Sequence, residues 1–131
     1  MNPVDYILCV DDDKDDCELL NEAIKNGGHS TPIKFLHSGE DALTFLKKAE
    51  QENRLPKLLI LDVNMPKMNG LQVLTEIRKT LPSYVPVLFL TTSPGDNEVT
   101  FSENNNAAIM AKPTSANGFQ SVVHTIFGSL I

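Results

Sequence analysis

Short apolar runs recur along this chain and alternate with segments of mixed polarity. Strand-like runs are predicted at about 5–10, 33–37, 57–62, 85–91 and 107–111. The intervening segments suit helices, which together with the strands give the βα pattern of a parallel sheet. Because crossovers between parallel strands are right-handed, helices should cover both faces of the sheet. The pattern therefore predicts an α/β fold, a three-layer α/β/α sandwich with five strands.

Three helices are marked by apolar residues spaced three and four apart. The last is the clearest, with Phe119, Val122, Val123, Ile126, Phe127 and Leu130. The second has Ala42, Leu43, Phe45, Leu46 and Ala49, and the third has Leu71, Val73, Leu74 and Ile77. Breaks are predicted where glycine or proline clusters, at Asn26-Gly27-Gly28, Leu81-Pro82 and Ser93-Pro94.

Ser93-Pro94 predicts an N-cap followed by proline at the first position of the fourth helix. That helix should be short and weakly held, because residues 95–106 offer few apolar anchors. Gly70 is expected to let the chain turn into the third helix. We expect surface or packing roles for the three histidines, which the sequence does not place beside the acidic residues.

Composition limits the function classes. The 131 residues predict one domain, residues 1–131, and the net charge of −6 argues against direct nucleic-acid binding. The first apolar run stops at a carboxylate, so neither a signal peptide nor a membrane span is predicted, and we expect a cytoplasmic location. Cys9 and Cys17 lie in apolar patterns and are predicted to be reduced core residues.

Polar residues close four of the predicted strands: Asp11 with Asp12, then Asp62, Thr91 and Lys112. The carboxyl ends of parallel strands form the ligand crevice of such sheets, so these side chains should converge. Three carboxylates together repel one another, and a divalent cation would relieve this. Oxygen-only ligands indicate Mg²⁺, with Mn²⁺ as the alternative. Three carboxylates, one such cation and the lysine ammonium balance in charge.

This arrangement suits phosphoryl transfer to Asp62. A carboxylate is already a competent nucleophile toward phosphorus, and Lys112, Thr91 and the metal would stabilise the transferred group. The product would be an aspartyl phosphate. For Asp13, Asp15 and Asp16 we favour a simpler interpretation, an acidic first turn stabilised by the helix dipole.

The sequence resembles the receiver domain of two-component response regulators over nearly its full length. Residues 7–12 resemble the acidic metal-binding opening, and residues 62–70 the phosphoacceptor strand with its Met-Pro, glycine-containing loop. Thr91 and Lys112-Pro113 match the two remaining positions. The resemblance implies a strand order of 2-1-3-4-5 in a flavodoxin-like receiver fold.

The resemblance also implies residue roles. Asp62 would be the phosphorylated residue, and Asp11, Asp12, Asp62 and the main-chain carbonyl of Asn64 would hold the metal. Lys112 would pair with the phosphoryl group. Thr91 would move toward that group, while Thr92 lines the entrance. The side chains of Asn64 and Ser93 would influence how fast the phosphoryl group is lost.

One position departs from the family. Ile109 stands three residues before Lys112, where members commonly carry an aromatic ring that turns inward with the switch threonine. Isoleucine is stiff and β-branched, so its two states would differ by packing alone. We hypothesise that the output instead relies on the sparsely anchored segment from Ser93 to Asn106.

The function implied is a signalling switch in a phosphorelay. A sensor histidine kinase or a phosphotransfer protein would donate the phosphoryl group, and a downstream partner protein would read the phosphorylated state, as with stand-alone receivers. The protein would catalyse its own phosphorylation and dephosphorylation without being a metabolic enzyme. A homodimer is an arrangement that the sequence leaves open.

Three alternatives remain at this stage. An Asp-dependent Mg²⁺ phosphatase typically has a second carboxylate two residues after the nucleophile, but this chain has Asn64 there. A nucleotide carrier needs a glycine-rich loop where this chain has carboxylates. A phosphorylation-independent interaction module would have no need for the complete set of site residues.

Overall fold

A computed structural model describes residues 4–79 and 85–131. It contains five strands: β1 Val4–Val10, β2 Ile33–Leu36, β3 Pro56–Asp62, β4 Val87–Thr91 and β5 Ala108–Ala111. The helices are α1 Lys14–Asn26, α2 Gly39–Gln51, α3 Gly70–Ile77, α4 Asp96–Asn104 and α5 Ala116–Thr125. Each strand lies within two residues of its predicted bounds. The predicted break at Leu81-Pro82 lies outside the described residues.

All five strands are parallel and lie in the order β2-β1-β3-β4-β5, which confirms the predicted order. The register pairs Val10 with Leu61, Asp62 with Leu90, and Thr91 with Ala111. The carboxyl ends of β1, β3, β4 and β5 therefore meet at one edge of the sheet. This alignment decides where the polar residues that close these strands lie.

Alternate residues of the central strands enter two separate cores. Leu8, Leu59 and Phe89 pack with α2 and α3 on one face, while Ile7, Leu58 and Leu88 pack with α1 and α5 on the other. Each fully buried large apolar side chain contributes roughly 1.5–3 kcal/mol. The predicted three-layer α/β/α sandwich is thus confirmed, because both faces of the sheet are covered.

The edge strands depart from the prediction of strands buried on both faces. Every residue of β4 is buried, whereas the four residues of β5 are half-buried or exposed. The reason is topological: β5 pairs only with β4 within the sheet. An apolar run such as 107–111 looks the same in sequence whether its strand is central or at an edge.

Helix ends differ from prediction at two places. The N-cap of α4 is Gly95, so the prediction that Ser93-Pro94 opens this helix is wrong. The carboxylate of Glu98 accepts a hydrogen bond from the Gly95 main-chain N–H at 3.0 Å and so caps the helix from within its first turn. The N-cap therefore lies two residues after the predicted one. The predicted last helix is α-helical only as far as Thr125, and its remaining residues, Ile126–Leu130, form a π-helical turn. As expected from its few apolar anchors, α4 is nine residues long and Ser102 is its one buried residue; how weakly it is held stays a prediction.

Gly70 has a different role from the one predicted. The left-handed residue in the loop after β3 is Lys67, with φ of 66°. A Cβ at Gly70 would lie 2.6 Å from the main-chain oxygen of Asp62, so glycine is required by close approach to the end of β3. None of the helices within the described ranges has the length and apolarity that crossing a bilayer requires.

Candidate functional site

The polar residues that close the strands come together at the carboxyl edge of the sheet. One carboxylate oxygen each from Asp11, Asp12 and Asp62 lie within 4.8 Å of one another. Asp11 and Asp62 are buried, with 4% and 3% of their surface exposed, whereas Asp12 is exposed. We call these three carboxylates the cation pocket; its outer member, Asp12, is open to solvent.

The ammonium of Lys112 occupies the inner wall of this pocket. Its Nζ lies 2.8 Å from Oδ2 of Asp11, 2.8 Å from Oδ2 of Asp16 and 3.3 Å from Oδ2 of Asp62. Only 7% of the lysine side chain is exposed. Its main-chain N–H donates to the carbonyl oxygen of Thr91 at 2.6 Å, which ties the start of this loop to the end of β4. Lys112 is therefore held at both ends.

Asp16 belongs to the site, although the sequence favoured a helix-dipole role for it. The interpretation holds for Asp13, which caps α1 by accepting the main-chain N–H groups of Asp15 and Asp16. Asp16 itself pairs with Lys112. The sequence does not distinguish Asp16 from its acidic neighbours, because Asp12 precedes α1 and the pairing of Asp16 with Lys112 depends on how that helix packs against the sheet. With this fourth carboxylate, a divalent cation and Lys112 leave one negative charge in excess.

Burial and charge shift the acidity of the site. Burial, followed by the neighbouring Asp11 carboxylate, raises the pKa of Asp62 from 3.8 to about 6, and Lys112 opposes this rise. Burial alone would lower the pKa of Lys112, but the hydrogen bonds that its ammonium donates to Asp11 and Asp16 raise the pKa above its ordinary value. Lys112 is thus a permanent cation beside a carboxyl group that, with no metal bound, becomes protonated as pH falls through about 6.

Asn64 links the Asp62 side chain to two hydroxyl groups. Its main-chain N–H donates to Oδ1 of Asp62 at 3.2 Å. Its side-chain amide donates to the hydroxyls of Thr91, at 3.3 Å, and Thr92, at 3.1 Å. Thr91 is buried and its hydroxyl donates in turn to Glu98, a long contact of 3.5 Å. A chain of hydrogen bonds therefore runs from the loop after β3 to the first turn of α4.

The residues predicted for switching lie around this chain. Thr92 and Ser93 are exposed, and Thr92 contacts the side-chain amide of Asn64. Ile109 is half-buried on β5, opposite Phe89 in the register. The ring next to Phe89 comes from α4, where Phe101 lies with its centroid 6.2 Å away. An aromatic contact thus joins β4 to α4 behind Thr91, although β5 carries isoleucine.

Two of the histidines have defined contacts. His37 is exposed, as expected, and its Nδ1 atom lies 3.0 Å from the main-chain oxygen of Asp11, a contact that the sequence did not indicate. The pairing of β2 with β1 brings it there, which the sequence pattern alone does not show. His29 stacks on Phe127 with centroids 3.6 Å apart, a packing role as expected. Both cysteines are free and buried, as expected.

Comparison with known proteins identifies the family. The chain matches the family model for the response regulator receiver domain over residues 7–124. The chain belongs to this family. Among curated relatives of this receiver domain, response regulator Rcp1 of Synechocystis sp. is 38% identical, with 75% of this chain and 69% of the relative covered. The probable methanogenesis regulatory protein FilR2 of Methanothrix harundinacea is 31% identical, with 92% and 79% covered.

Solved structures of response regulators share the fold of this receiver domain. The phosphorylated cyanobacterial phytochrome response regulator RcpA superimposes with a TM-score of 0.81 at 25% identity, covering 97% of this chain and 96% of that one. The Mn²⁺-bound form of Rcp1 gives a TM-score of 0.80 at 31% identity, covering 96% and 94%. Family membership is consistent with phosphorylation-dependent two-component signalling, in which histidine kinases phosphorylate the response regulator.

The donor set of this receiver domain suits a hard divalent cation. The three clustered side chains offer carboxylate oxygens alone, the ligands that Mg²⁺ and Mn²⁺ prefer. The nearby thiol of Cys17 is unsuited as a ligand, because burial raises its pKa to about 12. The excess negative charge gives a physical reason for the pocket to take up a cation.

Proposed function

We propose that this receiver domain, comprising residues 1–131, is a phosphorylation-dependent switch that accepts a phosphoryl group onto Asp62 in the presence of Mg²⁺. The donor would be the phosphohistidine of a sensor histidine kinase or phosphotransfer protein in the cytoplasm. Mn²⁺ would substitute for Mg²⁺. The observation that carries the proposal is the buried Asp62 carboxylate, which lies 3.3 Å from the Lys112 ammonium and within 4.8 Å of two further carboxylates.

The chemistry follows from the groups around Asp62. A carboxylate oxygen of Asp62 forms a bond to phosphorus while the bond from phosphorus to the donor nitrogen breaks, and the electron pair stays on that imidazole. Asp62 must be ionised for this step. Lys112 would stabilise the negative charge of the transferred group, and the Thr91 hydroxyl would donate a hydrogen bond to that group after leaving Glu98.

A bound divalent cation would neutralise the phosphoryl oxygens and lower the pKa of Asp62. Asp11, Asp12, Asp62 and the main-chain carbonyl of Asn64 would hold it. The same charge argument explains why phosphorylation should depend on the metal. Three carboxylates contact Lys112 and a fourth, Asp12, lies beside two of them, so without a cation the site repels an incoming anion.

Signalling through a bound partner is favoured over rapid phosphatase turnover. Asn64 occupies the position where an Asp-dependent phosphatase has its acid-base carboxylate, and its amide is engaged with two threonine hydroxyls. An amide cannot take a proton from attacking water in the way that a carboxylate can. We therefore propose that the phosphorylated form persists long enough to bind a downstream partner protein.

Incubation with acetyl phosphate and Mg²⁺ tests the proposal directly. Intact mass spectrometry should show one phosphoryl adduct that hydroxylamine removes, since an acyl phosphate is the expected product. Asp62→Asn should abolish the adduct, whereas Asp15→Asn, which removes an exposed carboxylate from the same acidic run, should retain it. An unlabelled wild-type protein, or a label that survives in Asp62→Asn, would contradict the proposal.

A further inference from the structure

Every hydrogen-bond donor of the Lys112 ammonium is already engaged. A lysine ammonium has three N–H donors, and three carboxylate oxygens surround this one, from Asp11, Asp16 and Asp62. The shortest contacts, 2.8 Å each, go to Asp11 and Asp16. The contact to the phosphoacceptor Asp62 is longer, at 3.3 Å. A phosphoryl group on Asp62 would therefore have to compete with Asp11 and Asp16, which lie closer to the lysine nitrogen than Asp62 does.

Asp16 differs from the other two carboxylates around the ammonium. Asp11 and Asp62 belong to the cluster suited to a cation and are almost fully buried. Asp16 lies outside that cluster, on the first turn of α1, and 21% of its side chain is exposed. It can therefore release the lysine and turn toward water, which the other two cannot do while they serve the cation.

We propose that Asp16 is a positioning residue that competes with the phosphoryl group for the Lys112 ammonium and so weakens retention of that group. The inference rests on the proposed function, because it presumes that Asp62 receives a phosphoryl group. Asp16 holds the ammonium toward α1 in the unphosphorylated protein. Phosphorylation then has to redirect one of the lysine N–H donors.

The charges in the pocket support this direction. Asp16 and Asp62 both lie within 3.3 Å of the same nitrogen, so their oxygens are at most about 6 Å apart, inside a Debye length. The charges of Asp11, Asp12 and Asp62 are neutralised by a divalent cation together with Lys112. The negative charge of Asp16 then remains uncompensated. A phosphoryl group adds further negative charge beside it. Removing the Asp16 charge should thus favour the anion, although partial exposure of Asp16 limits the effect.

The same charge should act in the opposite direction on the metal. Loss of Asp16 removes a negative charge near the cation pocket and should weaken Mg²⁺ binding. A change that merely loosened the fold would weaken the binding of both ions. Opposite effects on a cation and on a phosphoryl mimic therefore distinguish electrostatic competition from structural damage.

Titration with beryllofluoride, a phosphoryl mimic, at saturating Mg²⁺ tests the inference, with ¹⁹F NMR reporting the bound species. Asp16→Asn should reach half-saturation at about a tenfold lower mimic concentration than the wild-type protein. Mg²⁺ alone should bind Asp16→Asn more weakly. Asp16→Glu, which keeps the charge, should resemble the wild-type protein, and Asp15→Asn provides the matched loss of charge on the same helical turn.

Equal or weaker binding of beryllofluoride by Asp16→Asn would overturn the inference. Asp16→Ala should change affinity in the same direction, so the test stands even if one variant folds poorly, and thermal melting verifies folding. The two proposals fail separately. A wild-type protein that binds no beryllofluoride contradicts the phosphoacceptor function, whereas a wild-type protein that binds it as tightly as Asp16→Asn contradicts only the role of Asp16.

Discussion

The proposed chemistry requires Asp62 to be ionised, but its burial favours the protonated form. Its pKa is raised to about 6, first by burial and then by Asp11. The folded protein therefore binds a proton at Asp62 more tightly than the unfolded chain, in which the ordinary value of 3.8 applies. The free energy of unfolding should fall as pH rises from about 4 through about 6, and the loss is nearly complete roughly one pH unit above the folded pKa. Without metal, the reactive form of the site is the less stable one.

Replacing Asp62 with asparagine should remove this cost. In EDTA at pH 8, we expect Asp62→Asn to be more stable than the wild-type protein by roughly 1–3 kcal/mol, because Lys112 keeps Asp11 and Asp16 as partners. The advantage should shrink as the pH is lowered through 6 toward 4. Urea unfolding at several pH values measures it, with Asp15→Asn as the control. A difference that does not vary with pH would contradict the assignment.

At the residue scale, the sequence located groups that end a strand but missed groups that arrive from elsewhere. Asp11, Asp62, Thr91 and Lys112 each close an apolar run, so their convergence follows from a parallel sheet. Asp16 is hidden because an acidic first turn has its own sufficient cause in the helix dipole. His37 was missed because its contact depends on how β2 pairs with β1.

At the scale of elements, we expect α4 to be the helix that responds to phosphorylation. Its single buried residue is Ser102, and its first turn is capped by Glu98, which also accepts the hydroxyl of Thr91 at 3.5 Å. A hydroxyl has one proton to donate, so Thr91 cannot serve Glu98 and a phosphoryl group together. Movement of Thr91 toward Asp62 would therefore change the start of α4. This route requires no aromatic residue at the position of Ile109.

Hydrogen exchange tests this coupling. Beryllofluoride with Mg²⁺ should alter amide protection within residues 93–111, because a sparsely anchored element is easily biased between two packings. Helix α2 lies wholly outside this segment and buries Ala42, Leu46 and Ala49, so it serves as the internal control. Equal protection of residues 93–111 with and without the mimic would reject the hypothesis.

At the scale of the whole molecule, the charge at the sheet edge should make folding depend on metal. Asp11, Asp12 and Asp62 lie close together only when β1 and β3 are paired, so Mg²⁺ held by these carboxylates would stabilise the folded state. At a concentration one hundred times its dissociation constant, the gain should be about 3 kcal/mol. Thermal melting with and without Mg²⁺ measures the gain as a rise in Tm.

Two neighbouring variants make this test specific. Asp12→Asn should lose most of the rise, because Asp12 belongs to the carboxylate cluster. Asp13→Asn removes an equal charge one residue later and keeps an N-cap residue of similar quality, so it should retain the rise. If both variants lose it equally, the metal responds to general charge and not to this pocket.

Hydrophobic periodicity was enough to determine the order of elements, the layered α/β class and the residues that end each strand, because burial imposes a local pattern on a sheet covered by helices. Resemblance to the family then supplied the strand order and the expected roles. Only tertiary structure decided the contacts between residues far apart in the chain. Asp16 on Lys112, His37 on Asp11 and Glu98 on Thr91 arise from the packing of helices and edge strands, for which short-range sequence carries no signal.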